Sequence, residues 1–440
     1  MKRGFLNGSK VKKNPLYEPP PANDTAKEAI HDQKAPQATL DDGKLPYGKV
    51  ENRGERAISS KHRLNFEGSW SAGAPKDYEV SKVAYTEIDP TMFATNPDQV
   101  VVTTIPRTYL DKPFDPDGHS VWIVLGPTKA KVVGRPGYLK GLPKPSGPPA
   151  YEVKTVPNMG MGIFATRDIA VGELVFAERP LLVAPLDLSP MAGKSAIKLR
   201  DKYTPDEFKQ ILMLECEKHL DFALAVMPPE NRQAYLALAN DHKEDGSGPL
   251  LGILRTNGYM IKNLFDGPNV DEWQSNVYTG ITNVGSRINH SCKPNIAHKF
   301  DLDSFGFSFI AKRDIPSGEQ LCYSYCPVEQ SAADRKADLA RYGFACTCPS
   351  CANPTPESDK LRTECRPKIL AAAVAVSRGV ANKAVFEALV DLKKQMVEEG
   401  LEATDSYHKL LKIIFTVCVM LGMTDEKSTY LKEMKKYGLY

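Results

Sequence analysis

The sequence predicts an α+β chain: a core of short strands interrupted by a helical insertion and followed by a helical C-terminal region. Three observations carry this. First, a nine-residue turn unit occurs twice, as Ala165-Thr166-Arg167-Asp168-Ile169-Ala170-Val171-Gly172-Glu173 and as Ala311-Lys312-Arg313-Asp314-Ile315-Pro316-Ser317-Gly318-Glu319. Each copy precedes a strand-like run, Leu174-Val175-Phe176 or Leu321-Cys322-Tyr323. The glycine supplies a turn with positive φ, and Pro316 suits a preceding turn position. Second, residues 184–256, between the two units, change to helical spacing. Third, helical spacing returns after residue 353 and continues to the C-terminus.

Composition sets the outer bounds. At 440 residues the chain has room for two or three domains of ~100–200 residues each. A net charge of +3 is too small to argue for a nucleic-acid surface, and no direct nucleic-acid partner is expected. The opening Met1–Lys13 is basic but has no apolar core behind it, so it does not read as a secretory signal. The longest apolar run, Ile413–Met423, falls short of the ~20 residues a bilayer span needs, so no membrane partner is expected either. Nine cysteines, three of them within one hexapeptide, favour thiolates and metal over disulfides in a chain with no export signal.

Residues 1–150 differ from the rest. Nineteen of the 34 prolines precede residue 158, including Pro19-Pro20-Pro21 and the run Pro143 to Pro149, and hydrophobic periodicity is mostly absent. This composition predicts a largely disordered region whose removal (residues 1–145) would leave stability nearly unchanged. Two islands, Gln99–Ile105 and Ser120–Leu125, have strand character. Lys10–Lys13 is a poor nuclear-localisation candidate and reads as a solvated charge cluster.

Strands with tight turns begin at Tyr151. In the insertion, Thr204-Pro205-Asp206-Glu207 is a capping box with proline at the first helical position. Phe208, Ile211, Leu212, Glu215 and His219 follow at helical spacing, with His219 expected on the helix surface and without a role. Pro228-Pro229 ends this helix, and another runs through Ala239. After a linker marked by Pro354 and Pro356, Phe386, Leu389, Val390, Lys393, Met396 and Val397 make one helical face. Leu410, Leu411, Ile414, Val417, Cys418 and Leu421 make a second, and Gly400 and Gly422 sit at helix stops. These helices are expected to pack against the strand core.

The chemistry concentrates in three segments. Arg287–Asn295 places an amide, an imidazole, a hydroxyl and a thiol side by side in Asn289-His290-Ser291-Cys292 and stiffens the exit with Pro294. Gly318–Tyr325 leads from a turn into a strand carrying Tyr323 and Tyr325, which share a face if the strand continues. Cys346-Thr347-Cys348-Pro349-Ser350-Cys351 offers three thiols, and a structural zinc site needs a fourth ligand, for which Cys365 is one candidate. Together these segments resemble the SET-domain protein methyltransferases, most of all the branch with the SET-and-MYND proteins, over roughly Tyr151 to Cys351. The MYND zinc module of that branch is missing, since the insertion carries only Cys216.

The resemblance implies a SET-domain β-fold over 151–326 with its helical insert at 184–256, a zinc-binding post-SET segment over 327–352, and a tetratricopeptide-like helical domain over 353–440. It supplies Cys292 as the fourth zinc ligand beside Cys346, Cys348 and Cys351. It implies S-adenosylmethionine as methyl donor, held by Gly160, Met161 and Gly162 of the Asn158–Phe164 loop and by Asn257, Asn289, His290 and Phe344. Tyr325 matches the catalytic tyrosine, and Tyr323 and Tyr342 line the lysine channel. A tyrosine at 323 implies a product held at mono- or dimethyl-lysine. The expected activity is lysine methylation of a histone or other protein by a monomer in the nucleus or cytoplasm. The alternative is a catalytically weak SET-fold peptide-binding or scaffold module. A small-molecule methyltransferase is disfavoured, because those usually carry a doubly wound sheet with helices between strands.

Overall fold

The computed structural model describes residues 74–79, 100–106, 115–125, 128–156, 159–262, 264, 277–340 and 342–440. Twelve strands among these residues form three sheets. Strands β1 (Val100–Ile105) and β2 (Ser120–Leu125) open the chain order. A short helix, α1 (Thr128–Val133), leads to β3 (Tyr151–Val156), β4 (Gly160–Ala165), β5 (Leu174–Glu178) and β6 (Leu182–Pro185). The insertion contains α2 (Leu188–Ala192), α3 (Lys194–Ile197), α4 (Pro205–Ala225), α5 (Pro229–Leu236) and α6 (Pro249–Asn257). Strands β7 (Tyr259–Ile261), β8 (Tyr278–Ile281), β9 (Asn289–His290), β10 (Ile296–Asp301), β11 (Gly306–Ala311) and β12 (Gln320–Tyr323) follow. The sheet orders are β1-β2-β6-β8-β7, β10-β11-β5 and β3-β4-β12-β9.

Both islands of the first 150 residues are strands, and they are central to the core. β2 pairs with β1 on one side and runs parallel to β6 on the other. Successive side chains of a strand point to opposite faces. Val121 and Ile123 therefore join the core of the helical insertion, while Trp122 and Val124 join the aromatic core around Phe307 and Phe309. All four are fully buried. The proline run is folded too: Leu142 donates its N–H to Asp117 at 2.7 Å, and Thr166 donates to the carbonyls of Pro149 and Ala150. The expectation of a largely disordered region therefore fails for the described part of residues 100–150. Clustered proline lowers helix propensity, but it does not prevent extended chain from packing. The remainder, with Lys10–Lys13, lies outside the described residues.

The two turn units dock on each other about a local pseudo-dyad. Ile169 and Ile315 exchange backbone hydrogen bonds of 2.9 Å in both directions. Asp314 accepts the N–H of Val171, and its equivalent Asp168 accepts that of Ser317, both at 2.8 Å. Each unit closes on itself through its own ion pair, Arg167–Glu173 and Arg313–Glu319. Gly172 and Gly318 have φ of 83° and 85°, the left-handed region that glycine enters without strain. The symmetry breaks at Gly172, where a Cβ would collide with the carbonyl of Lys436, whereas one on Gly318 would meet open space.

Helix α4 starts at the predicted capping box, with Thr204 and Glu207 bonded reciprocally. His219 is not on its surface: it is buried, with Nδ1 2.8 Å from the Glu215 carbonyl. The helix is enclosed by α2, α6, β1 and β2, so the charged residues of its later turns, Glu215, Glu217, Lys218 and Asp221, are internal and need partners. Glu217 accepts the N–H groups of Leu250 and Leu251 at the start of α6, and Glu215 pairs with Lys218 and accepts from the Tyr78 hydroxyl at 2.6 Å.

After β12 come α7 (Ala332–Ala340) and α8 (Pro349–Ala352), then four longer helices: α9 (Pro356–Ser377), α10 (Lys383–Glu398), α11 (Asp405–Met420) and α12 (Thr424–Lys436). The faces read from the sequence meet here, with Met396 packed on Leu410, Ile414 and Val417 in one core. Thr355, Asn382 and Thr404 cap α9, α10 and α11 through their side chains. Gly400 and Gly422 take positive φ just beyond α10 and α11. The region is helical as expected.

Candidate active site and thiol cluster

The segment Arg287–Asn295 is held on three sides. β9 runs parallel to β12, with Asn289 opposite Cys322 and His290 opposite Tyr323. At its exit, Asn295 bonds through its side-chain amide to Gln320 and Glu319 and accepts the Cys322 N–H at 2.7 Å. At its entry, the Glu178 carboxylate accepts three successive backbone N–H groups, those of Asn283, Val284 and Gly285, at 2.6–3.1 Å. Burial raises the Glu178 pKa, and these three bonds oppose that shift. Asn289 donates its amide to the Met161 carbonyl at 3.0 Å. This approach needs a glycine: a Cβ on Gly162 would lie 2.6 Å from Gln320 Nε2 and 3.1 Å from Asn289 Nδ2. Gly160, with φ of 75°, starts β4, so the predicted glycine loop is here mostly strand, and Asn158 lies outside the described residues.

His290 has a defined tautomer. The backbone N–H of Tyr325 points at Nδ1 from 3.0 Å, and a backbone N–H only donates. Nδ1 is therefore the acceptor, and Nε2 carries the proton that faces Cys292 Sγ at 3.3 Å. One ring thus ties the backbone at Tyr325 to the thiol at Cys292.

Around it the aromatic rings converge. Tyr325 lies 5.2 Å from His290, 5.2 Å from Tyr342, 6.4 Å from Phe344 and 6.4 Å from Tyr323, measured between centroids. Phe344 is 6.0 Å from His290. Strand β12 ends at Tyr323, so Tyr325 is not the next residue on the same strand face, but the two rings still face one region. The Tyr325 hydroxyl donates to the Ile288 carbonyl at 2.5 Å. Burial raises the pKa of the Tyr323 hydroxyl. Asn257 stands apart from this group. Its side-chain nitrogen donates to the carbonyls of Ala239 and Ile253, and its own carbonyl accepts from Ser286 ahead of the motif.

The sulfurs of Cys292, Cys346, Cys348 and Cys351 all lie within 4.8 Å of one another, although Cys292 is 54 residues or more from the others in sequence. Four sulfurs at ~2.3 Å from one tetrahedral ion would sit ~3.8 Å apart, so the cluster could hold a metal ion. Cys365 is elsewhere, its thiol turned to the Arg362 carbonyl. Cys326, by contrast, forms a second group with His290 and Cys292. Sequence spacing gave no reason to include it.

Two buried arginines, also unforeseen, lock this region. Arg335 donates to the carbonyls of Gln330 and Ser350 and approaches Cys351 Sγ at 3.9 Å. Arg362, on α9, donates to the carbonyls of Cys292 and Val328, to Ser350, and to the Glu399 carboxylate at 2.7 Å. Neither guanidinium is exposed. Nothing in the local sequence marks either residue: the partners of Arg335 lie 5–16 residues away and those of Arg362 up to 70.

Residues 160–326 match the family model of the SET domain, within a chain of mixed helix and sheet. Its relatives include a Schizosaccharomyces pombe protein named histone-lysine N-methyltransferase set5, 30% identical over 202 residues, or 46% of this chain and 50% of that one. The human protein-lysine N-trimethyltransferase SMYD5 is 38% identical over 77 residues, 17% of this chain and 18% of its own length. The Drosophila melanogaster SET domain-containing protein SmydA-8, isoform B, is 25% identical over 263 residues, 47% and 58% of the two chains. The match to set5 therefore spans half of that protein. No helix among the described residues is long and apolar enough to cross a membrane.

Proposed function

We propose that this chain is an S-adenosylmethionine-dependent protein-lysine N-methyltransferase acting on a histone or another protein. The observation that carries the reading is the convergence of Tyr323, Tyr325, Tyr342, Phe344 and His290 on one region beside the strand that bears Gly160, Met161 and Gly162. In this reading Gly160, Met161, Gly162, Asn289, His290 and Phe344 hold the donor, and Asn257 supports the motif from behind through Ser286. The residues suit such a ligand: Gln320 Nε2 is buried next to Gly162 with no hydrogen-bond partner among the described residues. When bound, S-adenosylmethionine supplies a sulfonium methyl, to which the lysine amine donates its lone pair as the carbon–sulfur bond breaks. A free lysine has a pKa of ~10.4, and a buried aromatic surround disfavours its ammonium form. Tyr323 and Tyr342 enclose the amine, and Tyr325, fixed by its bond to the Ile288 carbonyl, orients it. Positioning then supplies most of the rate.

The four clustered cysteines would bind one structural zinc, with the His290 N–H as an outer partner of the Cys292 thiolate. The C-terminal helices would form a tetratricopeptide-like wall of the substrate cleft. A nuclear or cytoplasmic location, a monomeric state, and no nucleic-acid or membrane partner complete the reading.

Tyr325→Phe tests it directly. Donor affinity, measured by calorimetry, is expected to survive while methyl transfer falls by a factor of roughly 10 to 1,000, as for loss of one oriented polar group. Full activity in that variant would remove Tyr325 from the reaction. No transfer by the wild type to core histones or cell extract would favour a scaffold module instead.

Tyr323 is expected to hold the product at mono- or dimethyl-lysine, with Tyr323→Phe shifting it upward. The name of the SMYD5 relatives, protein-lysine N-trimethyltransferase, points the other way. Mass spectrometry at completion decides: dominant trimethyl-lysine from the wild type would end the case for Tyr323 as a gate.

A further inference from the structure

One thiol beside the cluster has no place in a four-coordinate site. β9 and β12 run parallel with His290 opposite Tyr323, and the Ser291 N–H continues the ladder to the Tyr323 carbonyl at 3.0 Å. Parallel strands leave their pairing at the same end. The chain therefore delivers Cys292, just past His290, and Cys326, just past Tyr323, to one place. The ligand atoms of His290, Cys292 and Cys326 lie within 4.8 Å of one another, and this group shares only Cys292 with the four-sulfur cluster. Cys326 is 6% exposed, and its carbonyl accepts the Ser324 hydroxyl at 2.6 Å. On the other side, Cys351 Sγ is 3.4 Å from Cys292 Sγ, and Cys351 is only half-buried. Cys292 thus stands between a thiol that solvent reaches and one held in the core. Cys326 is placed by the strand pairing, whereas Cys351 belongs to the segment that zinc would anchor.

We propose that Cys351, Cys292 and Cys326 form a thiol relay, through which a peroxide converts the metal-holding cluster into a Cys292–Cys326 disulfide. This rests on the zinc reading above and deepens it. The Cys351 thiolate attacks the O–O bond of the peroxide, becomes a sulfenic acid and expels hydroxide. The Cys292 thiolate then attacks the Cys351 sulfur, forms a disulfide and expels a second hydroxide. Cys326 attacks the Cys292 sulfur, the Cys292–Cys351 bond breaks, and the departing Cys351 sulfur takes the Cys326 proton. In sum, Cys292 and Cys326 each give up one electron, and hydrogen peroxide becomes two hydroxides that solvent protonates. With Cys292 in a disulfide, zinc keeps at most three of its four ligands and its hold weakens. The strand pairing favours this end point, because it keeps Cys326 beside Cys292 after the metal has gone and the segment carrying Cys351 has loosened. Metal loss then reaches the proposed donor site through Phe344, which precedes the three cysteines of that segment.

The test uses the full chain, purified without chelator and treated with a small excess of hydrogen peroxide, beside Cys326→Ser and Cys326→Ala. A chromogenic chelator follows zinc release, and mass spectrometry after non-reducing digestion maps the disulfides. Before treatment all three proteins are expected to carry about one zinc per chain, since Cys326 is outside the four-ligand set. The treated wild type should lose most of its zinc and yield a Cys292–Cys326 link. Dithiothreitol with added zinc should then restore both the metal and donor affinity. The variants should stop one step earlier, at a Cys292–Cys351 link. Serine keeps the size of the thiol without its reactivity, and alanine covers the case in which a buried hydroxyl prevents folding. A wild-type map in which Cys326 is still a free thiol once zinc has left overturns the proposal, as does zinc retained by a wild type that carries the Cys292–Cys326 link. Untreated wild type without zinc overturns the metal reading, and its map after peroxide still decides the relay: a Cys292–Cys326 link supports it, and the absence of one overturns it.

Discussion

Removing residues 1–145 is expected to abolish cooperative folding. The deletion takes β1 and β2 out of a five-stranded sheet and leaves β6 with an unpaired edge. It also removes Val121, Trp122, Ile123 and Val124, four fully buried residues that fill two cores at once. A single truncation shows the scale: Trp122→Ala should cost about 3–5 kcal/mol, the usual range for a buried aromatic cut to alanine. Typical domains have only ~5–15 kcal/mol in total, so the loss of both strands exceeds what such a fold can absorb. Thermal melting followed by circular dichroism checks this. A truncated chain melting within a few degrees of the full one would mean that β1 and β2 add little to the core in solution.

Cys351→Ser is expected to abolish metal binding and to weaken donor binding with it. In the proposed site four thiolates share one zinc, and without the cation four sulfurs this close repel one another when ionised. A serine hydroxyl does not replace a thiolate as a ligand at neutral pH, so zinc should fall from about one per chain to near zero. Structural zinc contributes directly to folding free energy, ~10–16 kcal/mol in small zinc peptides. Here the loss should be local. It frees the segment from Phe344 to Cys351, which is tied back to the motif through Cys292. Donor affinity should drop roughly fivefold or more through Phe344, since one misplaced aromatic contact is worth about 1 kcal/mol. Metal analysis and calorimetry measure both effects. Wild type purified without chelator and carrying no zinc would rule out the metal site.

How much of this was legible in the sequence depended on the range of the interaction. The duplicated turn units, the capping box at Thr204 and the glycine stops at 400 and 422 are determined within a few residues, and all are where the sequence placed them. The motif Asn289–Cys292 and the thiol triplet were visible as local chemistry, although their meeting depends on tertiary structure. What local pattern missed is non-local. The burial of His219 follows from elements that surround α4, not from its own spacing. Glu178, Cys326, Arg335 and Arg362 are ordinary in their own segments and acquire a role only from partners many residues away. The first 150 residues misled because proline content reports on helix propensity, while β1 and β2 are stabilised by strands that come later in the chain.

Arg362 also sets an order of events during synthesis. A chain leaving the ribosome exposes its strands first, and β12 completes the three sheets at residue 323. At that stage the carbonyl of Cys292 still lacks the guanidinium that binds it, and the other three thiols of its cluster have not emerged. The arginine arrives 70 residues after Cys292, and the Glu399 carboxylate that balances its charge later still. Burial of an uncompensated guanidinium is strongly unfavourable, so this junction closes only once α10 has been made. The nascent core therefore passes through an interval in which its sheets are formed and its motif is held by them, while the Cys292 end still lacks its tie to Arg362. The helices that follow act as a late step in building the site, which is closed only once Glu399 has been made.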